Sequence, residues 1–250
     1  MTLFGTIGMA TLIIGHPNFF IGNQDQITMK NRKYFVFAGL DGSGKSTAVL
    51  QVAQRLTQDG LNVVTVREPG STNLGEELRS LIKRYGSSLR PIQLAMLMNT
   101  ARLHLVNEKI IPALRDDAII LSDRGAACTY AYQNYHAHNR YGIIKNIDNF
   151  PIASSIADQI HELNHIGTAY SDVSPLHTFW LTGPPSEFGQ RAGNAYFTDM
   201  DAKKLQHIHY AYRYYFQNNY GGEHTEIDSF RNGTDAVANI AYNQIMEVIN

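Results

Sequence analysis

One short segment restricts this chain more than any other: Gly39-Leu40-Asp41-Gly42-Ser43-Gly44-Lys45-Ser46 fits the pattern G-x-x-x-x-G-K-[ST] in full. Before it runs KYFVFA, 33–38, a β-branched and aromatic stretch that reads as a strand. After it, 46–58 carries Val49, Leu50, Val52, Ala53 and Leu56 near helical spacing, and Gly60 stops the helix. Strand, glycine turn and helix in that order are the context the pattern requires. The glycines let the backbone turn with its N–H groups aimed inward, and the helix start adds the positive end of its dipole. Residues Gly39 to Thr47 therefore read as a cradle for a nucleoside triphosphate. Lys45 would reach the β- and γ-phosphates, and the Ser46 hydroxyl would hold Mg²⁺.

The rest of the chain repeats the alternation of strand and helix. Further strands are expected at 61–66 (LNVVTV), 118–122 (AIILS), 176–182 (LHTFWLT) and 225–227. Helices are expected at 76–85, from Pro91 to about 111 with another turn at 112–115, and at 126–135, 152–164 and 199–218. Thr234 should cap a last helix to 248, with Val237, Ile240, Ala241, Ile245 and Val248 inward. The stretch 134–150 shows no period and reads as loop. The expectation is an α/β fold: a five-stranded parallel sheet with helices on both faces. Ligands of such sheets collect beyond the carboxyl ends of the strands, where each motif below falls.

Composition narrows the partners. The 250 residues carry a formal net charge of −1, which argues against a broad nucleic-acid surface. A single cysteine, Cys128, excludes an internal disulfide, fits a reducing compartment and reads as a small buried filler. His207 and His209, two apart on a helix, point to different faces and read as ordinary polar residues. Residues 1–24 hold no charged side chain. Their apolar run is too short to span a membrane and lacks the marks of a signal or transit peptide. Residues 1–28 thus read as an unstructured or mis-assigned extension, and 29–250 as the domain.

Four more segments sharpen the picture. Arg67-Glu68-Pro69-Gly70-Ser71-Thr72 and Leu74-Gly75-Glu76 follow the second strand. Ala101-Arg102-Leu103-His104 lies in the long middle helix. Ser122-Asp123-Arg124 ends the third strand and leads to Thr129-Tyr130-Ala131-Tyr132-Gln133. Pro184-Pro185 with Arg191 follows the fourth strand. In this order and spacing, together with GLDGSGKST, they resemble the thymidylate kinases, P-loop nucleoside monophosphate kinases. The resemblance implies a P-loop NTPase fold and phosphoryl transfer from ATP-Mg²⁺ to dTMP. It implies that Arg67 and Arg124 hold the acceptor phosphate, a task suited to the planar guanidinium fork. Asp41 would organise the sugar 3′-OH and a nearby arginine, and Arg102 would donate to a thymine carbonyl. Thr129 and Tyr132 would line base and sugar, with Gln133 in support. Asp123 would act on Mg²⁺ directly or through water. A cytoplasmic homodimer is the assembly implied, with no membrane partner.

Two departures from the family pattern matter. Met98 stands one turn before Arg102, where an aromatic residue usually stacks on thymine. The phosphate loop has no basic residue at Gly42 or Ser43, and 192–197 is uncharged where lid arginines are expected. Arg191, at the position that packs on adenine, then serves the ATP side and doubles as the lid cation. Lys45, Arg124, Asp41 and Arg191 are the candidate catalytic set. The rival readings are a kinase for another deoxynucleotide and a nucleotide-binding protein with little activity.

Overall fold

The computed structural model describes residues 33–140, 159–161, 163–164, 173–191 and 202–249. Five strands, β1 (Tyr34–Gly39), β2 (Val63–Arg67), β3 (Ile119–Asp123), β4 (His177–Thr182) and β5 (His224–Asp228), form one sheet. Their order is β2-β3-β1-β4-β5, and every pairing is parallel. The helices are α1 (Lys45–Gln58), α2 (Asn73–Tyr85), α3 (Pro91–Leu105), α4 (Ile111–Arg115), α5 (Ala126–Arg140), α6 (Pro185–Arg191), α7 (Ala202–Gln217) and α8 (Ser229–Ile249).

The central strand explains why the sheet is buried on both sides. β1 alternates, as a strand must. Phe35 and Phe37 join Val49, Val52, Leu56, Phe179, Val237 and Ile245 on the face covered by α1 and α8. Tyr34 and Val36 meet Leu105, Ile110 and Leu114 on the opposite face, and Ala38 meets α5 and α7. All residues of β1, β3 and β4 are buried, whereas the edge strands β2 and β5 are partly open. Each fully buried Phe contributes about 1.5–3 kcal/mol by leaving water, so the phosphate loop springs from a strand held on both faces.

The expected strands all form, shifted by a residue or two. The long middle helix is not uniform. It ends at Leu105, widens into a π-helical turn at Val106–Ile110, and resumes as α4. Pro112 supplies the reason: it lacks an N–H and its ring would strike the carbonyl one turn back, which a wider turn relieves. Three expectations need correction. The loop expected from 134 is helix as far as Arg140, because the buried run Ala127–Tyr135 carries α5 on; 141–150 lie outside the described residues. Ile240 and Val248, expected inward on α8, are 37% and 45% exposed, while Ala238 is buried instead. The helix is interrupted at Gly233 (φ 72°), one residue before Thr234, and the inward stripe is set by Val237, Ala238, Ala241 and Ile245. His207 and His209 are both buried, His207 stacked on Tyr135 and His209 tilted against Trp180. Of the helix expected at 152–164, only 159–161 and 163–164 are described, and they are helical. Residues 1–32 and 192–197 lie outside the described residues.

Candidate functional site

The phosphate loop leaves β1 at Gly39, whose φ of 145° brings it against β4. A Cβ there would lie 2.4 Å from the Leu181 carbonyl oxygen, so no other residue fits. Gly42 and Gly44 also have positive φ, and the turn closes with Ser43 N–H donating to Leu40 O at 3.1 Å. Gly44 caps α1 without a side-chain bond. The first N–H groups of a helix have no partner within it, so the first turn of α1 offers donors to an anion. Leu40 and Ser43 are buried, and Ser46 and Thr47 face outward.

Lys45 is buried and folds back, its Nζ donating to Leu40 O at 2.6 Å and Ser43 Oγ at 3.3 Å. Burial, then the neighbouring Arg124, pushes its pKa down to about 8, against the pull of Asp41, Cys128 and Asp123. A phosphate chain at this place would supply the missing negative charge.

The two residues expected at the metal meet. Ser46 Oγ donates to Asp123 Oδ2 at 2.5 Å across the end of β3. The other oxygen, Asp123 Oδ1, is buried without a partner. An orphaned buried carboxylate oxygen beside a hydroxyl suits a hard, oxygen-loving cation that keeps most of its shell from water and phosphates. Among the described residues no group of three acidic, histidine or cysteine side chains forms a closed metal cage.

The arginines come together at the same sheet edge. Arg67 ends β2 in register with Asp123, and Glu68 N–H donates to Asp123 O at 3.0 Å. Arg124 follows directly, in a left-handed conformation (φ 82°) fixed by its N–H donating to Phe37 O at 3.0 Å. A non-glycine residue there is strained, and strain of this kind collects at ligand sites. Its guanidinium pairs with Asp41 and lies over the Tyr132 ring, 5.9 Å from the centroid. Burial works to raise the Asp41 pKa, but Arg124 and Lys45 hold the carboxyl below its usual range. Tyr132 also fixes the loop: its hydroxyl accepts from Asp41 N–H at 3.0 Å. Arg67 remains 46% exposed, bonded to Glu76 at 2.9 Å, and Glu76 also accepts from Ser71 N–H.

Arg102 is placed differently from a surface cation. Its side chain and that of Glu68 are 4% and 5% exposed and meet at 2.6 Å. Its Nη1 donates to Asn99 and, at 3.3 Å, to Asn164; its Nη2 donates to Thr129 Oγ1 at 2.8 Å. Four of the five donors of a guanidinium are thereby engaged, leaving one. Thr129 thus touches Arg102. Gln133, a turn further along α5, is buried with its Oε1 unpartnered. Met98, a turn before Arg102, is half-buried. Arg191 is the last residue of α6, and its side chain lies outside the described ones.

Several residues here escaped the sequence reading. Glu68 stood inside a recognised segment but was passed over as context. Asn99 and Asn164 carry no local signal. Tyr212, one of the tyrosines expected only to pack, also donates its hydroxyl to Gly39 O at 3.0 Å. Arg79 on α2 reaches back to Pro69 O at 3.2 Å.

A glycine cradle at the head of the central strand of a parallel 2-3-1-4-5 sheet, beside arginines on the neighbouring strand ends, is the architecture of the P-loop fold. Residues 37–153 match the family model described as thymidylate kinase. Through this segment the chain is similar to the thymidylate kinases. It is 36% identical over 103 residues to a thymidylate kinase of Thermoanaerobacter sp. (strain X514), covering 41% of this chain and 51% of that protein. It is 35% identical over 145 residues to the thymidylate kinase of Legionella pneumophila (strain Corby), covering 57% and 65%. It is 40% identical over 105 residues to that of Nitrosomonas eutropha, covering 42% and 49%. The chain thus spans about half to two thirds of the length of these relatives.

Proposed function

We propose that this protein transfers the γ-phosphoryl group of ATP to dTMP, giving dTDP and ADP. The observation that carries the reading is the neighbourhood of Arg67 and Arg124 at the ends of two paired strands, beside the loop that holds Lys45. Two phosphate-bearing ligands can face each other there. The attacking oxygen of a monophosphate is already anionic, so no general base is needed. What remains is positioning and charge neutralisation.

In this reading the 39–47 cradle and Lys45 bind the triphosphate. Arg67 and Arg124 clamp the acceptor phosphate, with Asp41 orienting Arg124 and the sugar. Arg102, Thr129, Tyr132, Gln133 and Met98 line the base and sugar. Ser46 and Asp123 would hold Mg²⁺, which when bound neutralises charge on the phosphate chain. Arg191 serves the ATP side, and Arg191→Ala should lower ATP affinity and turnover. Residues 29–250 form the working domain, so a chain started at Met29 should keep its activity. The lone free cysteine fits a cytoplasmic setting, and among the described residues no helix is long and apolar enough to cross a membrane. The exposed Leu74, Leu81 and Tyr85 of α2 and Met96 of α3 support a homodimer, which Leu81→Glu with Met96→Glu should convert to monomer in light scattering.

A coupled assay of ADP release with dTMP, dUMP, dCMP, dGMP and dAMP tests the whole reading. Dependence on dTMP supports it. Turnover with another acceptor supports the alternative that Met98 and the committed donors of Arg102 favour. Tight ATP binding with no acceptor-dependent turnover refutes a kinase.

A further inference from the structure

The charge balance at the ends of β2 and β3 is uneven. Arg67 has Glu76 as its ion-pair partner and Arg124 has Asp41. Arg79, on α2 three residues after Glu76, has no carboxylate within ion-pair reach among the described residues. Its one hydrogen bond is to a neutral acceptor, the carbonyl of Pro69, 3.2 Å away. That bond turns the half-buried guanidinium back over the segment that follows Arg67. Gly70 lies between them: a Cβ there would meet Glu76 Oε1 at 2.5 Å and Arg67 Nε at 3.5 Å. Burial, followed by Arg67 and Arg124, pulls the Arg79 pKa down, and Glu76 and Asp123 offset this only in part. Three guanidinium groups are therefore gathered where only two have resident carboxylates. A folded chain holds an uncompensated, half-buried cation among other cations at a cost, which a bound anion removes.

We propose that Arg79 is a third arginine of the acceptor-phosphate site, donating to a phosphomonoester dianion held between Arg67 and Arg124. This rests on the reading of the β2 and β3 ends as the acceptor site. Arg67 reaches the phosphate from the strand, Arg124 from beside the phosphate loop, and Arg79 from the helix. The side chain uses one of its five donors internally and presents the others to the ligand. A charge-assisted hydrogen bond to phosphate sets the size of the effect at about tenfold to a hundredfold in affinity.

The test is calorimetric binding of dTMP and of thymidine, which lacks the phosphate, to the full chain and to Arg79→Gln, with ATP affinity alongside. The expected result is a loss of dTMP affinity of at least about tenfold, with thymidine and ATP affinities unchanged. An equal loss for dTMP and thymidine would show that Arg79 only shapes the loop through Pro69, and would overturn the proposal. No loss for dTMP would overturn it too. Arg79→Lys keeps the charge without the fork and decides the matter if the Gln variant misfolds: a partial loss for dTMP alone supports the role, and unchanged binding refutes it. If the unaltered protein binds dTMP no better than thymidine, the acceptor-site reading itself fails, and Arg79 has no phosphate to hold.

Discussion

Removing the Glu68 carboxylate should damage this protein more than removing the whole Glu68–Arg102 pair. Both side chains are nearly inaccessible, and they meet at 2.6 Å. Glu68→Ala leaves a guanidinium in the interior with only neutral partners, Asn99, Asn164 and Thr129. Tyr34, whose hydroxyl lies 3.4 Å from Glu68, loses an acceptor as well. Breaking a buried pair from one side costs about 3–5 kcal/mol. For a chain of this size each kcal/mol moves the midpoint by roughly 2–4 °C, so the melting temperature should fall by roughly 6–20 °C. Arg102→Met with Glu68→Ala removes both charges and should recover part of that loss. Glu68→Gln keeps an acceptor and should fall between. Thermal and urea denaturation of the parent, these three variants and Arg102→Met alone closes the cycle. If Glu68→Ala lies within about 1 kcal/mol of the parent, or if the double variant is worse than the single, the pair is not the buried clamp its geometry describes.

Three further outcomes follow from the site and the core. Lys45 must be charged to meet a triphosphate, and burial with the neighbouring Arg124 pushes its pKa down to about 8; the KM for ATP should rise as pH climbs from 7 to 9.5, approaching tenfold per unit above 8, and a flat profile would contradict the assignment. His209 is held neutral by burial, then by Arg213, with its pKa lowered to about 4. Between pH 6.5 and 4 the unfolded chain binds the proton and the folded one does not. Stability should therefore fall on acidification through that window, by at most about 3 kcal/mol, and His209→Phe should flatten the slope in urea melts. Gly39→Ala would put a Cβ 2.4 Å from the Leu181 carbonyl, a backbone atom that cannot swing aside; a loss of about 2 kcal/mol or more and of ATP binding is expected in melting and titration, and normal ATP affinity would count against the close approach.

What could be read from the amino-acid order was what local chemistry encodes. The phosphate loop needs glycines at fixed spacing next to a strand and a helix, and all of that lies within 33–58. The buried strands announced themselves as apolar runs, and their parallel arrangement followed from the alternation with helices; their order in the sheet came only from the structure. The missing parts depend on contacts distant in sequence. Glu68 and Arg102 are joined across 34 positions, and neither sequence neighbourhood reveals the pair. Arg79 sits on a helix where arginines usually face water, and only the turn of α2 back over Pro69 brings it to the strand ends. The end of α5 was misjudged because its polar and aromatic residues show no amphipathic rhythm. Only the preceding run, Ala127 to Tyr135, is buried without a break, and a helix enclosed on all sides shows no such rhythm. Ile240 and Val248 fit the spacing of an inward stripe on α8, but the face turned to the sheet is that of Val237, Ala238, Ala241 and Ile245.

That enclosed helix ties the two halves of the site together. Along nine consecutive positions, Ala127 to Tyr135, α5 has no outward side. On one flank Tyr132 grips the backbone of the phosphate loop, and on another Thr129 grips the guanidinium of Arg102. The helix works as an axle between the 39–47 loop and Arg102. A substitution along α5 that shifts Thr129 therefore acts on the same rigid element that holds the backbone of Asp41.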